Sequence, residues 1–447
     1  MSVARLPKPI PTVSGEMPLL GSLPALLMND LALRSRVIQQ HPDLCRVHAG
    51  PLTVVLVANK DYCQDVLTRT EEFDKTPAVT ITARPTFGTG ILLIANGPHR
   101  ARRRLIQPAF NHSRVDHYAG TVSAYAAEAA SHWRDGQVLD IGEALTRITM
   151  RVIGKVMFDL DHLGDDSALG QAVTATFEHM KIAFLLPLPV AWPLPHNLRL
   201  QRALTLLDGI IYDMIDKRRK EGVDHGDLLS MLLTANENGE GLSDHQIRDD
   251  AMAILVAGHE TTAYSLAFAL YLLATHPLVR QRIQHEVDSV LGTRPPTLAD
   301  LAHLPYTVQV FKETLRLYPA AHILPRQATQ DTTIGDFAVK KGWFVVMDVW
   351  TMHHRPDYFP HPEQFDPDRF TPENEACIPR GAYLPFGSGP RNCIGRQLAM
   401  LEGPLALATL VQQVSLDVAF GTWLDLKFLL TIRPKNPLRM RVTRRHS

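Results

Sequence analysis

The chain has 447 residues, 45% of them hydrophobic and 21% charged, a globular composition that excludes disorder, collagen and coiled coil. Lys+Arg and Asp+Glu balance at 46 each, so no global field draws the molecule to nucleic acid or to an anionic membrane. Four cysteines are too sparse for a disulfide framework, and MSVARLPKPIPTVSGEMP lacks the apolar stretch of a signal peptide. A cytoplasmic protein is expected.

Residues 1–25 carry Pro7, Pro9, Pro11, Pro18 and Pro24 and read as an extended surface arm. Asp30 to Gln40 reads as a helix, and the β-rich Leu52 to Val57 as a strand paired with Leu44 to His48. Between Phe73 and Gly97 the pattern is irregular, which predicts a long loop. From His99 to about His285 helical periodicity dominates, with breaks near Gly136, Gly164 and the prolines at 187–195. Arg280 to Leu291 and Thr307 to Leu317 continue it. Asp331 to Lys341 and Trp343 to Met347 alternate as short strands, His354 to Pro390 is turn-rich, and a further helix precedes short strands from Val414. The fold class is mainly α, with β material at the two ends.

Two apolar segments need a membrane test. Ile182 to Leu194 is too short to span and is broken by three prolines. Ala251 to Thr275 is long enough, but His259-Glu260-Thr261-Thr262 sits at its middle, where ionisable groups are costly in lipid. A buried central helix, and no transmembrane segment, is expected.

Phe386-Gly387-Ser388-Gly389-Pro390-Arg391-Asn392-Cys393-Ile394-Gly395 is the most informative stretch. Its glycines permit a tight loop, and Gly395 opens an apolar helix. Cys393 thus lies beside a helix N-terminus, which lowers a thiol's pKa and favours a nucleophile or metal ligand; the alternative is a buried small hydrophobe. F-x-x-G-x-R-x-C-x-G resembles the haem-ligand signature of the cytochrome P-450 family. That resemblance implies a triangular helical domain with small β-sheets at its N- and C-terminal parts, one haem domain over residues 1–447. It also implies that Cys393 is the axial thiolate of haem b (iron protoporphyrin IX). Phe386 is then expected under the ring, Arg391 at a propionate and Gly395 at the start of the following helix.

Other motifs stand in the family's order. Glu313-Thr314-Leu315-Arg316 matches its E-x-x-R, whose two charges share a helix face. Asp366 to Phe370 matches the turn that adds Arg369 as third partner. A buried Glu313–Arg316–Arg369 network would hold the cysteine loop, and losing one member would strand a charge at about 3–5 kcal/mol.

Ala257-Gly258-His259-Glu260-Thr261-Thr262 interrupts an otherwise apolar helix. Ala257 and Thr261 share a face, the Thr261 hydroxyl can bond the Ala257 carbonyl, and small residues at 257 and 258 would let a planar cofactor approach. A zinc site is excluded, because H-E-x-x-H needs a second histidine where Ala263 stands. The resemblance to the family's A-G-x-[DE]-T-[TS] implies that Glu260 and Thr261 steer protons while dioxygen is activated. It also implies propionate contacts from His99, Arg103 and Arg326. His99 departs from the Trp common in relatives, which touches haem hydrogen bonding only. Arg100, Arg102 and Arg104 remain for a basic surface facing an acidic partner.

By the same analogy Phe87, Ala257, Ala321 and Ile323 line an aliphatic substrate pocket, His322 is a polar anchor or a satisfied core histidine, and Phe184 to His196 is a local lid. The expected activity inserts one oxygen atom of O2 into an apolar small molecule: a terpene, a polyketide or a fatty-acid-like compound. The chain ends soon after Cys393 with no G-x-G-x-x-G after a strand, so electrons are expected from a separate ferredoxin with its reductase, or a flavodoxin, feeding a monomer. The competing readings are a haem-thiolate isomerase or dehydratase, a peroxide-driven hydroxylase and a haem sensor. The intact Glu260–Thr261 pair argues against them.

Overall fold

The computed structural model describes residues 7–28, 30–161, 163, 167–185, 188–237 and 240–445. The start of the arm, the break near Gly164 and Pro187 lie outside the described residues, as do the side chains of Phe184 and Leu185. Contacts sort the chain into two compact units, each discontinuous in sequence. A sheet unit comprises residues 1–80, 321–364 and 375–393, and a helical unit comprises 81–320, 365–374 and 394–447.

The sheet unit is built on five strands in the order Leu44–Ala49, Leu52–Val57, Phe344–Asp348, Ile323–Ala328 and Phe73–Asp74. Gly50, at a φ of +59°, and Pro51 form the two-residue turn that sets Ala49 opposite Leu52 and so fixes the register of the expected hairpin. Leu52–Val57 then pairs in parallel with Phe344–Asp348. Val55, Val57, Val345 and Met347 bury their side chains in one core with Phe73, each stabilising the unit by roughly 1.5–3 kcal/mol.

The arm is bound more firmly than a surface arm. Lys8 bridges Phe337 and Thr12 bridges Arg46, while Ile10 enters the main sheet core and Val13 a smaller one with Leu33 and Cys45. Alternating prolines at 7, 9 and 11 lack N–H groups, so pairing falls to the residues between them and to the Pro11 carbonyl, which accepts from the Arg46 amide at 2.8 Å. From Leu23 the chain is helical.

The expected loop over 73–97 contains a short strand and a helix, Pro77–Phe87. Thr76 caps it, its side chain accepting from the Val79 amide at 3.4 Å, and Pro77 takes the first position, where a missing N–H costs nothing. Pro85 ends the helix two residues later.

In the helical unit the helix Asp244–Thr275 is buried nearly all round, which is why it shows no amphipathic stripe. Ser243 and Gln246 form its capping box. Ile141–Phe158, Pro195–Glu221, Pro305–Leu317 and Arg396–Gln413 pack against it. Val138–Asp140, Val414–Val418 and Arg439–Arg444 form a three-stranded sheet, and Leu426–Phe428 pairs with Ile432–Pro434 as a hairpin. Among the described residues no single helix is long and apolar enough to cross a membrane.

Candidate active site

The loop ending at Cys393 belongs to the sheet unit, and glycine sets its shape. Gly387 and Gly389 have φ of +67° and +71°. A Cβ on Gly389 would lie 2.3 Å from the Leu67 carbonyl oxygen, so the loop meets the helix Lys60–Thr68 at backbone contact. The Cys393 amide donates to the Phe386 carbonyl at 2.8 Å, Ser388 Oγ to Gln64 Oε1 at 2.6 Å, and the Leu384 amide to buried His353 Nε2 at 2.9 Å. These bonds hold the loop with Cys393 exposed and Phe386 half-buried. Gly395 is the cap of the helix Arg396–Gln413.

Three cations converge in the same unit. Arg326 is buried, and burial lowers its guanidinium to about 10, with Asp74 opposing. Arg391 places Nη2 3.7 Å from Asp74 Oδ1. Lys75, which no sequence motif marks, stands in the field of both: burial, then Arg326 and Arg391, push its ammonium well below the usual range. Two guanidiniums and an amine whose charged form they disfavour suit a ligand that brings carboxylates of its own. With an exposed thiol on a held loop, these residues fit haem b.

On the long helix of the helical unit, Ala257 is exposed and Thr261 half-buried, one turn apart on one face of a mostly buried element. Thr261 Oγ1 donates to the Ala257 carbonyl at 2.8 Å, as expected, and Ser265 Oγ donates to the Thr261 carbonyl at 2.8 Å. Thr149, from the crossing helix, donates to the His259 carbonyl at 3.0 Å. Hydroxyls that draw carbonyls aside loosen the helix locally. Gly258 differs from its expected role: a Cβ there would lie 2.7 Å from Ile153 Cδ1, so this glycine serves helix crossing, and Ala257 is the small residue on the open face.

Glu260 is buried. Its Oε2 accepts from Thr431 Oγ1 at 2.9 Å, and Arg433 Nη1 lies 3.7 Å from Oε1. Burial raises its carboxyl to about 7, with Arg433 and the Thr431 bond pulling the other way. A carboxyl poised near neutrality suits proton transfer. His259 beside it is kept neutral, held down at about 4 by burial despite its bond to the Leu255 carbonyl.

The Glu313–Arg316–Arg369 network forms. Arg316 donates to both Glu313 oxygens at 2.7 Å, both residues are fully buried, and Arg369 Nε lies 3.3 Å from Glu313 Oε1. The Asp366 amide completes the carboxylate at 3.1 Å. His99 is buried on the helix Asn96–Ile106, and Arg103, one turn on, donates from Nε to Gln107 Oε1 at 3.2 Å. Arg102 is not part of a basic surface: it is buried against Asp250 at 2.6 Å, leaving Arg100 and Arg104 exposed.

Phe87 has no accessible surface and is a packing residue, which corrects its expected place in a pocket wall. Ala321 and Ile323 are half-buried in the sheet unit. His322 is a satisfied core histidine, its Nδ1 2.9 Å from Arg34 Nη2. Beyond these, the sequence reading missed Arg433, Thr431 and Glu402. Glu402 is signalled only as a lone acid in an apolar helix; burial raises its carboxyl to about 8, and its Oε1 has no hydrogen-bond partner among the described residues.

The chain belongs to the cytochrome P450 family, whose model, described as Cytochrome P450, matches residues 11–437. It is 36% identical to a cyclooctat-9-en-7-ol 5-monooxygenase of Streptomyces melanosporofaciens, over 92% of this chain and 91% of that one. It is 29% identical to a pentalenene oxygenase of Streptomyces avermitilis, over 97% of each. A crystal structure of the cytochrome P450DA heme domain superposes with a TM-score of 0.88 at 29% identity, over 99% of each chain. The protein is a cytochrome P450 monooxygenase with haem b as cofactor, using O2 and electrons from redox partners.

Proposed function

We propose that this monooxygenase oxidises a cyclic terpene or terpene alcohol, with Cys393 as the thiolate ligand of the haem iron. The exposed Cys393 on its glycine-shaped loop is the observation that carries the ligand assignment. The substrate class rests on the relatives whose names specify cyclooctat-9-en-7-ol and pentalenene oxidation.

Bound haem supplies the oxidising chemistry. Arg326, Arg391 and Lys75 would hold its propionates, His99 and Arg103 would add contacts to them, and Phe386 would pack against the haem. Glu260 holds the proton, and Thr261 hands it on through its hydroxyl. The bond from Thr261 to Ala257 orients that hydroxyl. Ala257 on the long helix, and separately Ala321 and Ile323 in the sheet unit, offer small or aliphatic surfaces suited to an apolar substrate. Electrons come from a separate ferredoxin or flavodoxin that uses Arg100 and Arg104 as part of its footing, and the protein works as a cytoplasmic monomer.

The test is the absorption difference spectrum of the dithionite-reduced protein with carbon monoxide. A strongly red-shifted Soret band is expected for the wild type and the ordinary histidine-haem position for Cys393→His. The ordinary position in the wild type overturns the ligand assignment. A low- to high-spin shift with pentalenene and none with a long-chain fatty acid is expected; the reverse overturns the substrate class.

A further inference from the structure

A cleft of about 730 Å³ opens on the flank of the helical unit, between the helices Ile141–Phe158, Ser167–Leu185 and Pro195–Glu221 and the C-terminal hairpin. Tyr264, one turn beyond Glu260, lines it, and so does Arg433. Arg433 is buried and faces two carboxylates from one position. Nη1 is 3.7 Å from Glu260 Oε1, and Nη2 is 3.3 Å from Glu178 Oε1. Glu178 stands in the cleft, and its Oε1 also pairs with Lys427 at 2.9 Å. Thr174 Oγ1 accepts from Arg433 Nη1 at 3.4 Å. One guanidinium thus joins the buried acid of the long helix to a carboxylate that water reaches.

This arrangement bears on a requirement of catalysis. Resting on the reading of Glu260 as the proton-handling acid, each turnover breaks the O–H bond of its carboxyl, and a proton from solvent must remake it. Arg433 acts by the field of its guanidinium. The charge on Glu178 cancels part of that field, so the two residues push Glu260 in opposite directions. We propose that Arg433 and Glu178 are positioning residues forming a charge lever, and that this lever sets how readily Glu260 exchanges its proton with water in the cleft. The other groups packed here are Thr431 on the hairpin, which bonds Glu260, and Tyr264 on its own helix, which feels both Glu260 and Arg433 and also Asp140; Lys427 pairs with Glu178. Removal of Lys427 would therefore act more weakly than removal of Arg433.

The experiment is an infrared titration of the ferric holoenzyme, following the carboxyl C=O band that Glu260→Gln abolishes. The expected wild-type midpoint is near neutrality. Arg433→Gln should raise it by about one pH unit or more, because an opposite charge within ~4–6 Å typically shifts a carboxyl by that order, while Glu178→Gln removes a like charge that opposes Arg433 and should lower it by less. Arg433→Lys keeps the charge and should stay close to wild type, which separates lost field from disturbed packing. Midpoints that do not move, that move in the same direction in Arg433→Gln and Glu178→Gln, or a band absent at every pH overturn the lever. The pH dependence of product formed per electron is read on the same variants. If it fails to follow shifted infrared midpoints, the lever stands and the role of Glu260 falls.

Discussion

Four buried carboxyls in the helical unit show how neighbours decide what burial does. Glu313 receives a bidentate guanidinium and a backbone amide. Asp250 receives Arg102 and the Ile91 amide, yet burial still raises it to about 6. Glu260 has one hydroxyl and a guanidinium beyond hydrogen-bond distance, and sits at about 7. Glu402 has burial alone acting on it and reaches about 8. A carboxyl raised when folded favours the folded state while protonated. The contribution of Glu402 is therefore intact below its ordinary 4.5 and is lost as pH rises towards 8. Glu402→Gln cannot ionise, so its stability relative to wild type should improve across that range by on the order of 4 kcal/mol. Denaturant unfolding on the acid and alkaline sides of the window would show the gap widening; a constant gap would mean that Glu402 has a partner when ionised. Motifs mark Glu313 and Glu260 but not Asp250 or Glu402, whose surroundings are set by residues distant in the chain.

At the scale of elements, two contacts invite substitution. Gly258→Ala should drive its Cβ into Ile153 and destabilise by roughly 1–3 kcal/mol. Ile153→Val removes the Cδ1 atom that lies nearest, at 2.7 Å, so the double variant should recover part of the loss; additivity of the two would mean that the helices part instead. Arg316→Met strands the Glu313 carboxylate and should cost about 3–5 kcal/mol. Glu313→Gln/Arg316→Met should cost less than the sum of its singles in thermal unfolding. The E-x-x-R pair was legible in sequence because i,i+3 spacing on a helix fixes which side chains meet, and its third partner Arg369 through the family resemblance alone. The pairing of Leu52–Val57 with the segment from Leu44 was legible from the β-rich composition of Leu52 to Val57. Pro77–Phe87 was not, since its Thr-rich interior hides a helix whose Thr76-Pro77 start carried the signal. Lys75 and Arg433 were invisible because their partners come from elsewhere in the chain.

At the scale of the whole molecule, equal charge totals leave no net field, and any attraction of a redox partner is local. The sheet unit draws on three separated stretches of sequence, and its arm belongs to the core: Ile10 packs in the cluster that holds Val55, Ile334 and Val345. Ile10→Ala should lower stability by about 2–5 kcal/mol, read as a fall in denaturant midpoint; an unchanged midpoint would return the arm to the surface. The parallel pairing of Leu52–Val57 with Phe344–Asp348 sets a schedule for biosynthesis. At roughly 5–20 residues per second, a ribosome needs about 15–60 s to make the roughly 290 residues that part these strands. Throughout that interval the nascent Leu-Thr-Val-Val-Leu-Val segment can close its hairpin but leaves one apolar edge without a neighbour, an open template for aggregation. Recovery of this protein from a heterologous host should therefore be governed by translation speed and chaperone supply before the stability of the finished molecule comes into play.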